Sequence, residues 1–257
     1  MTQCRFCGNT GNLVKAHVIP EAFFREARVD SEITRLISDD PNTFPKRSPI
    51  GVYDQEILCD QCEPKFGQVD DYGVQVLLKQ FHELFLPTTY ENRIVYQAEN
   101  INHDLLLRFL VATLWRASVS TQAFYSHVNL GPLEPLAKQV ILDQNNPVPK
   151  QFSAMLSRWT TDKENFLATK ALMDPCPEKM YGINSYRFYF GEVVAHIKAD
   201  KRPLPNILRP VVLLRPTVIL VDREISKSKD FAAMVHTVEQ SRKNYEKARS
   251  TRQKKIG

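Results

Sequence analysis

Two CxxC pairs, Cys4/Cys7 and Cys59/Cys62, bracket a single His-x-x-Pro string, His17 to Pro20. A CxxC turn aims two soft sulfur donors at one ion, so two such turns supply the four ligands of a tetrahedral zinc site. The other readings of these cysteines are two reducible thiol pairs or buried core residues. The chain opens MTQCRF, without the basic stretch and apolar run of a secretory leader. A cytoplasmic, reducing location is therefore expected, and it favours metal over disulfides. His17 sits between Val14 and the Val18–Ile19 pair. With an unperturbed pKa of about 6.5, an imidazole there offers a neutral base at physiological pH. The competing role is a histidine packed structurally against the cysteine-bearing segment. Glu63 and Asp70 are seven residues apart, which places them on one helical face across two turns, with Asp71 beside them. Carboxylates suit hard cations such as Mg²⁺ or Mn²⁺. They suit equally an acid at a helix start, for Glu63, and a solvated face, for Asp70 and Asp71. Cys176, alone in DPCPE, has no partner in spacing.

These residues need elements to hold them. CRFCG carries Gly8 for a tight turn, and LCDQCEPKFG places Pro64 at a first helical position. One pair on a knuckle and one at a helix start is the layout of a treble-clef zinc finger. Residues 30–55 lack periodicity and read as a long insertion inside it. Phe66, Val69, Leu77, Phe81 and Leu84 then recur at helical spacing. A second helix is expected after a cap at Asp104, through LLLRFLVATLWRASVSTQAF, and a third over 132–144. Beyond residue 150 the chain turns to β-branched and aromatic runs, QFSAMLSRWTT, YGINSYRFYFGEVVAHIKA and RPVVLLRPTVILVD. They predict three to five antiparallel strands, with Gly191 at a bend or bulge and His196 as a structural residue. The fold class is α+β: an N-terminal treble-clef/ββα finger over 1–85, a helical region over 86–150, and a β-rich region over 151–257 closed by a basic C-terminal helix.

At 257 residues and 43% hydrophobic, the chain can bury a sizeable core. It has no apolar run long enough to span a bilayer, no Gly-rich phosphate loop and no nucleophile elbow. The net charge of +5 is mild but unevenly placed. Between Ser241 and Gly257 stand Arg242, Lys243, Lys247, Arg249, Arg252, Lys254 and Lys255, opposed by Glu246 alone. Such a segment is either a solvated helix end or a phosphate-contacting tail.

The string CRFCGNTGNLVKAHVIP … ILCDQCE resembles the zinc-bearing His-Me finger (HNH) endonucleases. The resemblance implies a structural zinc at Cys4, Cys7, Cys59 and Cys62, and a ββα unit. It implies His17 as general base on water attacking a phosphodiester, with Mg²⁺ or Mn²⁺ nearby. Ala16 stands where many members have a metal-binding acid or histidine, and Glu63 where many have asparagine. A narrower group of bacterial proteins shares an LC-x-x-CE string, and by resemblance to it Glu63 and Asp70 take acidic site positions, with Arg116 on the following helix. The expected activity is DNA hydrolysis, and the expected partners are nucleic acid, DNA in the first place, and a second copy of the chain. The alternative is a non-catalytic zinc-stabilised module that binds nucleic acid or protein.

Overall fold

The structure is a computed structural model describing residues 3–28, 34–40, 43–160, 164–213 and 216–253, without the side chains of Phe166 and of residues 248–253. The cysteine-bearing segment begins with the 4–8 turn, in which Gly8 adopts φ +79°. Residues 12–14 then run antiparallel to 58–60, through Val14 N to Leu58 O at 3.0 Å and Asp60 N to Asn12 O at 3.0 Å. The pairing continues as β1 (Ala16–His17) against β4 (Tyr53–Asp54). Between them lie α1 (Glu21–Glu26) and a short hairpin of β2 (Arg35–Leu36) and β3 (Lys46–Arg47). Where an irregular insertion was expected over 30–55, the described part thus holds a small hairpin. Residues 30–33 and 41–42 lie outside the described residues. Gly51, at φ +82°, lets this excursion close on α1, since a Cβ there would stand 2.2 Å from the Phe24 ring.

After Cys62 a 3₁₀ turn (Glu63–Phe66) leads into α2 (Gly67–Val74), a π-helical turn (Gln75–Lys79) and α3 (Phe81–Leu84). The chain then departs from expectation. Residues 86–98, assigned to the helical region by sequence, form a hairpin of β5 (Leu86–Tyr90) and β6 (Arg93–Ala98). The reason is local: Glu91 and Asn92 both take positive φ, +47° and +61°, the pairing that a two-residue type I′ hairpin turn requires. α4 (His103–Val119) follows. Its cap is Asn102, whose side chain accepts from Leu105 N at 3.0 Å. Asp104, the expected cap, lies inside the first turn and instead accepts from Arg108 Nε at 2.6 Å. Every residue from Leu106 to Ala117 is buried, so α4 runs through the core rather than over it. α5 (Glu134–Leu142) packs beside it.

The remaining strands are β7 (Phe152–Trp159), β8 (Cys176–Met180), β9 (Ile183–Phe190), β10 (Val193–Ala199) and β11 (Val218–Arg223). The helices are α6 (Phe166–Lys170) and α7 (Lys229–Gln253). One sheet of order β5-β6-β11-β7-β10-β9-β8 results, antiparallel except between β11 and β7. Gly191, expected at a bend within a strand, instead makes the β9–β10 hairpin turn at φ +67°.

Period-two alternation decides the faces. Ala154, Leu156, Phe188, Phe190, Ala195 and Ile197 join the main core under α4. That core is continuous with Phe6, Phe23 and Phe66 of the cysteine-bearing segment: Phe23 meets Phe190 at 5.1 Å between ring centroids, and Phe109 meets Phe190 at 5.3 Å. The three segments distinguished by sequence therefore share one hydrophobic core. On the opposite face, Trp159, Tyr189 and Val194 pack under Ile225 and the first turns of α7. Next to them lies a partly buried charge network. Asp230 of α7 pairs with Arg187 and with Arg223 (3.4 Å), while Glu178 pairs with Arg187 (2.5 Å) and His196. His196 is structural here, as expected. Its Nδ1 is bonded to Glu178, and Arg187 and His196 together hold the Glu178 carboxyl down at about 2 against the upward pull of burial.

Candidate metal centre and the histidine beside it

The four sulfurs of Cys4, Cys7, Cys59 and Cys62 lie within 4.8 Å of one another, the single cluster of metal-ligating side chains among the described residues. Cys7 Sγ and Cys59 Sγ are 3.9 Å apart. Four thiolates at about 2.3 Å from a zinc ion stand roughly 3.8 Å apart, and a disulfide would need about 2.05 Å, so the donor set fits zinc. The surroundings fit as well. Cys59 N donates to Cys4 Sγ at 3.4 Å, and Cys4, Cys59 and Cys62 are buried while Cys7 faces solvent. Burial raises the Cys4 thiol, but backbone N–H groups at Cys7, Cys59 and Phe6 outweigh it and bring the pKa down to about 7. Burial and the neighbouring sulfurs push Cys62 up, so four thiols crowded together resist sharing negative charge without a cation. Phe6, between the first two cysteines, packs edge-on against Phe66 and Trp115, both at 5.3 Å, which anchors the knuckle to α4.

His17 is half-buried on β1, with its ring edge-on to Tyr53 at 5.9 Å. Its Nε2 lies 2.9 Å from the carbonyl oxygen of Ile50. A carbonyl only accepts, so Nε2 carries the proton and the lone pair is on Nδ1. Burial lowers the pKa below 6.5, aided by the Arg116 charge and opposed by the Ile50 carbonyl, Glu21 and Glu63. The ring is a neutral base with one fixed tautomer.

The two acids singled out by sequence have different settings. Glu63 is exposed at the start of its 3₁₀ turn. Asp70 is clamped by Arg116, which donates from Nη1 to Oδ2 and from Nη2 to Oδ1, each at 2.6 Å. Burial raises the Asp70 pKa, and Arg116 and the more distant His17 counter it. Arg116 also stacks 4.9 Å over the Phe66 ring. Arg116 is thus the partner that reading α2 alone could not supply; its signal was a cation within the apolar run of α4. Asp54 was missed altogether. It faces Ala16 across β1–β4, and its Oδ2 accepts from Ser120 Oγ, Thr121 N and Thr121 Oγ1 at 2.6–3.0 Å, so it serves the fold. Ala16 itself is buried and brings no ligand atom beside His17.

The basic run lies on α7, where Arg242, Lys243 and Lys247 are exposed and Arg242 pairs with Glu246 at 3.0 Å. The side chains of Arg249 and Arg252, and all of Lys254 and Lys255, lie outside the described residues. Cys176 is on β8, remote in register from the other cysteines, and burial pushes its thiol up. Among the described residues no helix is long and apolar enough to cross a membrane. No protein-family model, no curated protein and no solved structure matches this chain.

Proposed function

We propose that this chain is a metal-dependent endonuclease that hydrolyses phosphodiester bonds in DNA, with a structural zinc on the four cysteines and His17 as general base. The observation that carries the reading is the Nε2–Ile50 carbonyl contact, which leaves the Nδ1 lone pair of a neutral, half-buried imidazole as the basic atom. The order of elements supports it: two paired strands, β1 and β4, then the CxxC of Cys59 and Cys62, then a helix, as in a ββα finger of treble-clef type.

In this reading His17 Nδ1 takes a proton from a water molecule whose oxygen bonds to phosphorus. The bond from phosphorus to the departing sugar oxygen breaks, and that oxygen is protonated by solvent. The Ile50 carbonyl and the carboxylates of Glu21 and Glu63 steady the imidazolium that forms. Mg²⁺ or Mn²⁺, when bound beside exposed Glu63, would offset charge on the phosphate and the leaving oxygen. Asp70 holds Arg116 and through it the helix that backs the site. The exposed cations of α7 would supply sequence-independent attraction to the phosphate backbone.

A second reading, a zinc-stabilised module that binds nucleic acid without cutting it, is favoured by the same clamp. Both Asp70 oxygens are taken, which leaves the exposed Glu63 and Asp71 as the carboxylates open to a cation. The deciding experiment incubates the protein with plasmid, linear duplex, single-stranded DNA and RNA in Mg²⁺ or Mn²⁺. Cleavage by wild type that is lost in His17→Ala is the expected result. Cleavage that survives in His17→Ala overturns the base assignment, and DNA binding without cleavage by wild type moves the reading to the second.

A further inference from the structure

The β2–β3 hairpin sets two like charges against each other. Arg35 and Arg47 are direct cross-strand partners in its register. Residues so placed share a face, with Cβ atoms roughly 5 Å apart, and like charges there are destabilising. Leu36, on the other face, packs against the main core, so the two arginines leave the hairpin on its outward face. Both are exposed, and neither has an ion-pair or hydrogen-bond partner among the described residues. Lys46, opposite Leu36, is exposed as well. The free protein thus bears a repulsion that a bound anion would relieve.

The hairpin is tied to two other elements. At its base Ser48 N donates to Thr34 O at 2.9 Å, and Ser48 Oγ donates to Gly51 O at 2.7 Å. These bonds set the turn whose Ile50 carbonyl lies 2.9 Å from His17 Nε2, three residues after Arg47. Nearer the tip, Asn244 of α7 donates from Nδ2 to Asp40 O at 2.8 Å, beside the exposed Lys243. The hairpin therefore joins the basic run of α7 to the turn that holds His17.

We propose that the Arg35–Arg47 pair grips the phosphate backbone of DNA, an inference that rests on the reading that this chain engages DNA. Guanidinium forks match phosphate oxygens in bidentate geometry. Ile37 and Phe44, 42% and 49% exposed, belong to the same excursion. Cations beside an exposed ring suit a polymer that presents phosphates and flat bases together, and suit an acidic peptide less well. An open, outward pair fits an extended polyanion, whereas a small anion is held in an enclosing cleft.

The test titrates a fluorescent DNA duplex of about 20 base pairs with the full-length protein, purified with zinc, across a salt series without divalent cation. Arg35→Gln and Arg47→Gln should each lower the slope of log affinity against log salt by about one, and the double variant by about two. Arg35→Lys/Arg47→Lys should keep the slope. The melting temperature of the Gln double variant should equal or exceed that of wild type, because a repulsion is removed. Its His17 ring should keep the proton on Nε2 by ¹⁵N shift, which shows the Ile50 turn intact. Duplex binding unchanged in the Gln double variant would overturn the hairpin site alone and leave the DNA reading standing. Hairpin-dependent binding by a protein that cuts nothing would support the pair while sinking the nuclease reading. No duplex binding by wild type would overturn both. Polyglutamate bound more tightly than duplex, or a double variant melting several degrees lower, would also overturn the proposal.

Discussion

Arg116 grips both carboxylate oxygens of Asp70 at 2.6 Å across 46 positions of sequence, tying α2 to α4 at the back of His17. The Arg116 side chain is 3% exposed and that of Asp70 20%, so the pair is largely shielded from water. Removing one partner strands the other. Arg116→Met is therefore expected to cost about 3 kcal/mol in urea unfolding, whereas the double variant Asp70→Leu/Arg116→Met should recover most of that loss. A single-variant cost below about 1 kcal/mol would class the pair with ordinary surface ion pairs.

The same guanidinium bears on His17. Because burial depresses the folded pKa below the 6.5 of the free side chain, the fold prefers neutral imidazole. Stability from this source is present above the unfolded pKa and is lost as pH falls through the folded one. A ¹H–¹⁵N titration of the histidine ring should give a midpoint below 6.5 for His17, moving upward in Arg116→Met as a repelling charge is removed. The acid-side loss of stability should also shrink in His17→Gln. A midpoint at or above 6.5 would contradict the burial argument.

Metal analysis should find one zinc per chain, and substitution by cobalt should give the visible absorption of a tetrahedral thiolate site. Chelation is expected to lower the melting temperature on the order of 10 °C, because binding free energy of the folded state is lost. Cys59→Ser, at a buried ligand, should abolish stoichiometric loading. Full zinc retention in that variant would remove Cys59 from the site.

Asp230 is the anchor of α7, facing Arg187 and Arg223 together. Asp230→Ala leaves two partly buried guanidinium groups short of an anion and should destabilise by about 3 kcal/mol. Hydrogen exchange should rise first in the segment 229–241, ahead of β9 and β10, since the helix loses its tie while the strands keep their ladders. Uniform exchange across sheet and helix would show that α7 is held by its apolar contacts instead.

If α7 engages DNA, its affinity must fall steeply with salt, by about 0.9 logarithmic units per logarithmic unit of salt for each phosphate neutralised. Deleting residues 241–257 should flatten that dependence by several units. An unchanged slope would leave the basic run as a solvated helix end.

What the sequence disclosed followed from local rules. The CxxC spacing located the four sulfurs, because two residues between ligands is a constraint of the turn itself. Helical spacing found α2, α4 and α5, and β-branched and aromatic runs found β7, β9, β10 and β11, whereas β8, in CPEKM, lay outside them. The β5–β6 hairpin escaped because its signal is a backbone sign at Glu91 and Asn92, residues that tolerate rather than demand positive φ. The helix cap was displaced by two residues, from Asp104 to Asn102, since both types cap well and the choice rests on Arg108. Beyond reach was Asp70's partner. Arg116 is distant in sequence, and a carboxylate reads the same whether it awaits a cation or already has one.

Phe23 touches Phe190, and Phe6 touches Trp115, so the aromatic side chains that seat the cysteine knuckle are also the floor of the large sheet. The knuckle is accordingly not a cassette that could be cut out or grafted elsewhere. A fragment ending near residue 85 would bare these rings to water, and a sheet deprived of them would lack its lid. If the four sulfurs hold zinc, shortage of the metal should therefore appear as aggregation of the entire protein rather than as loss of one local site.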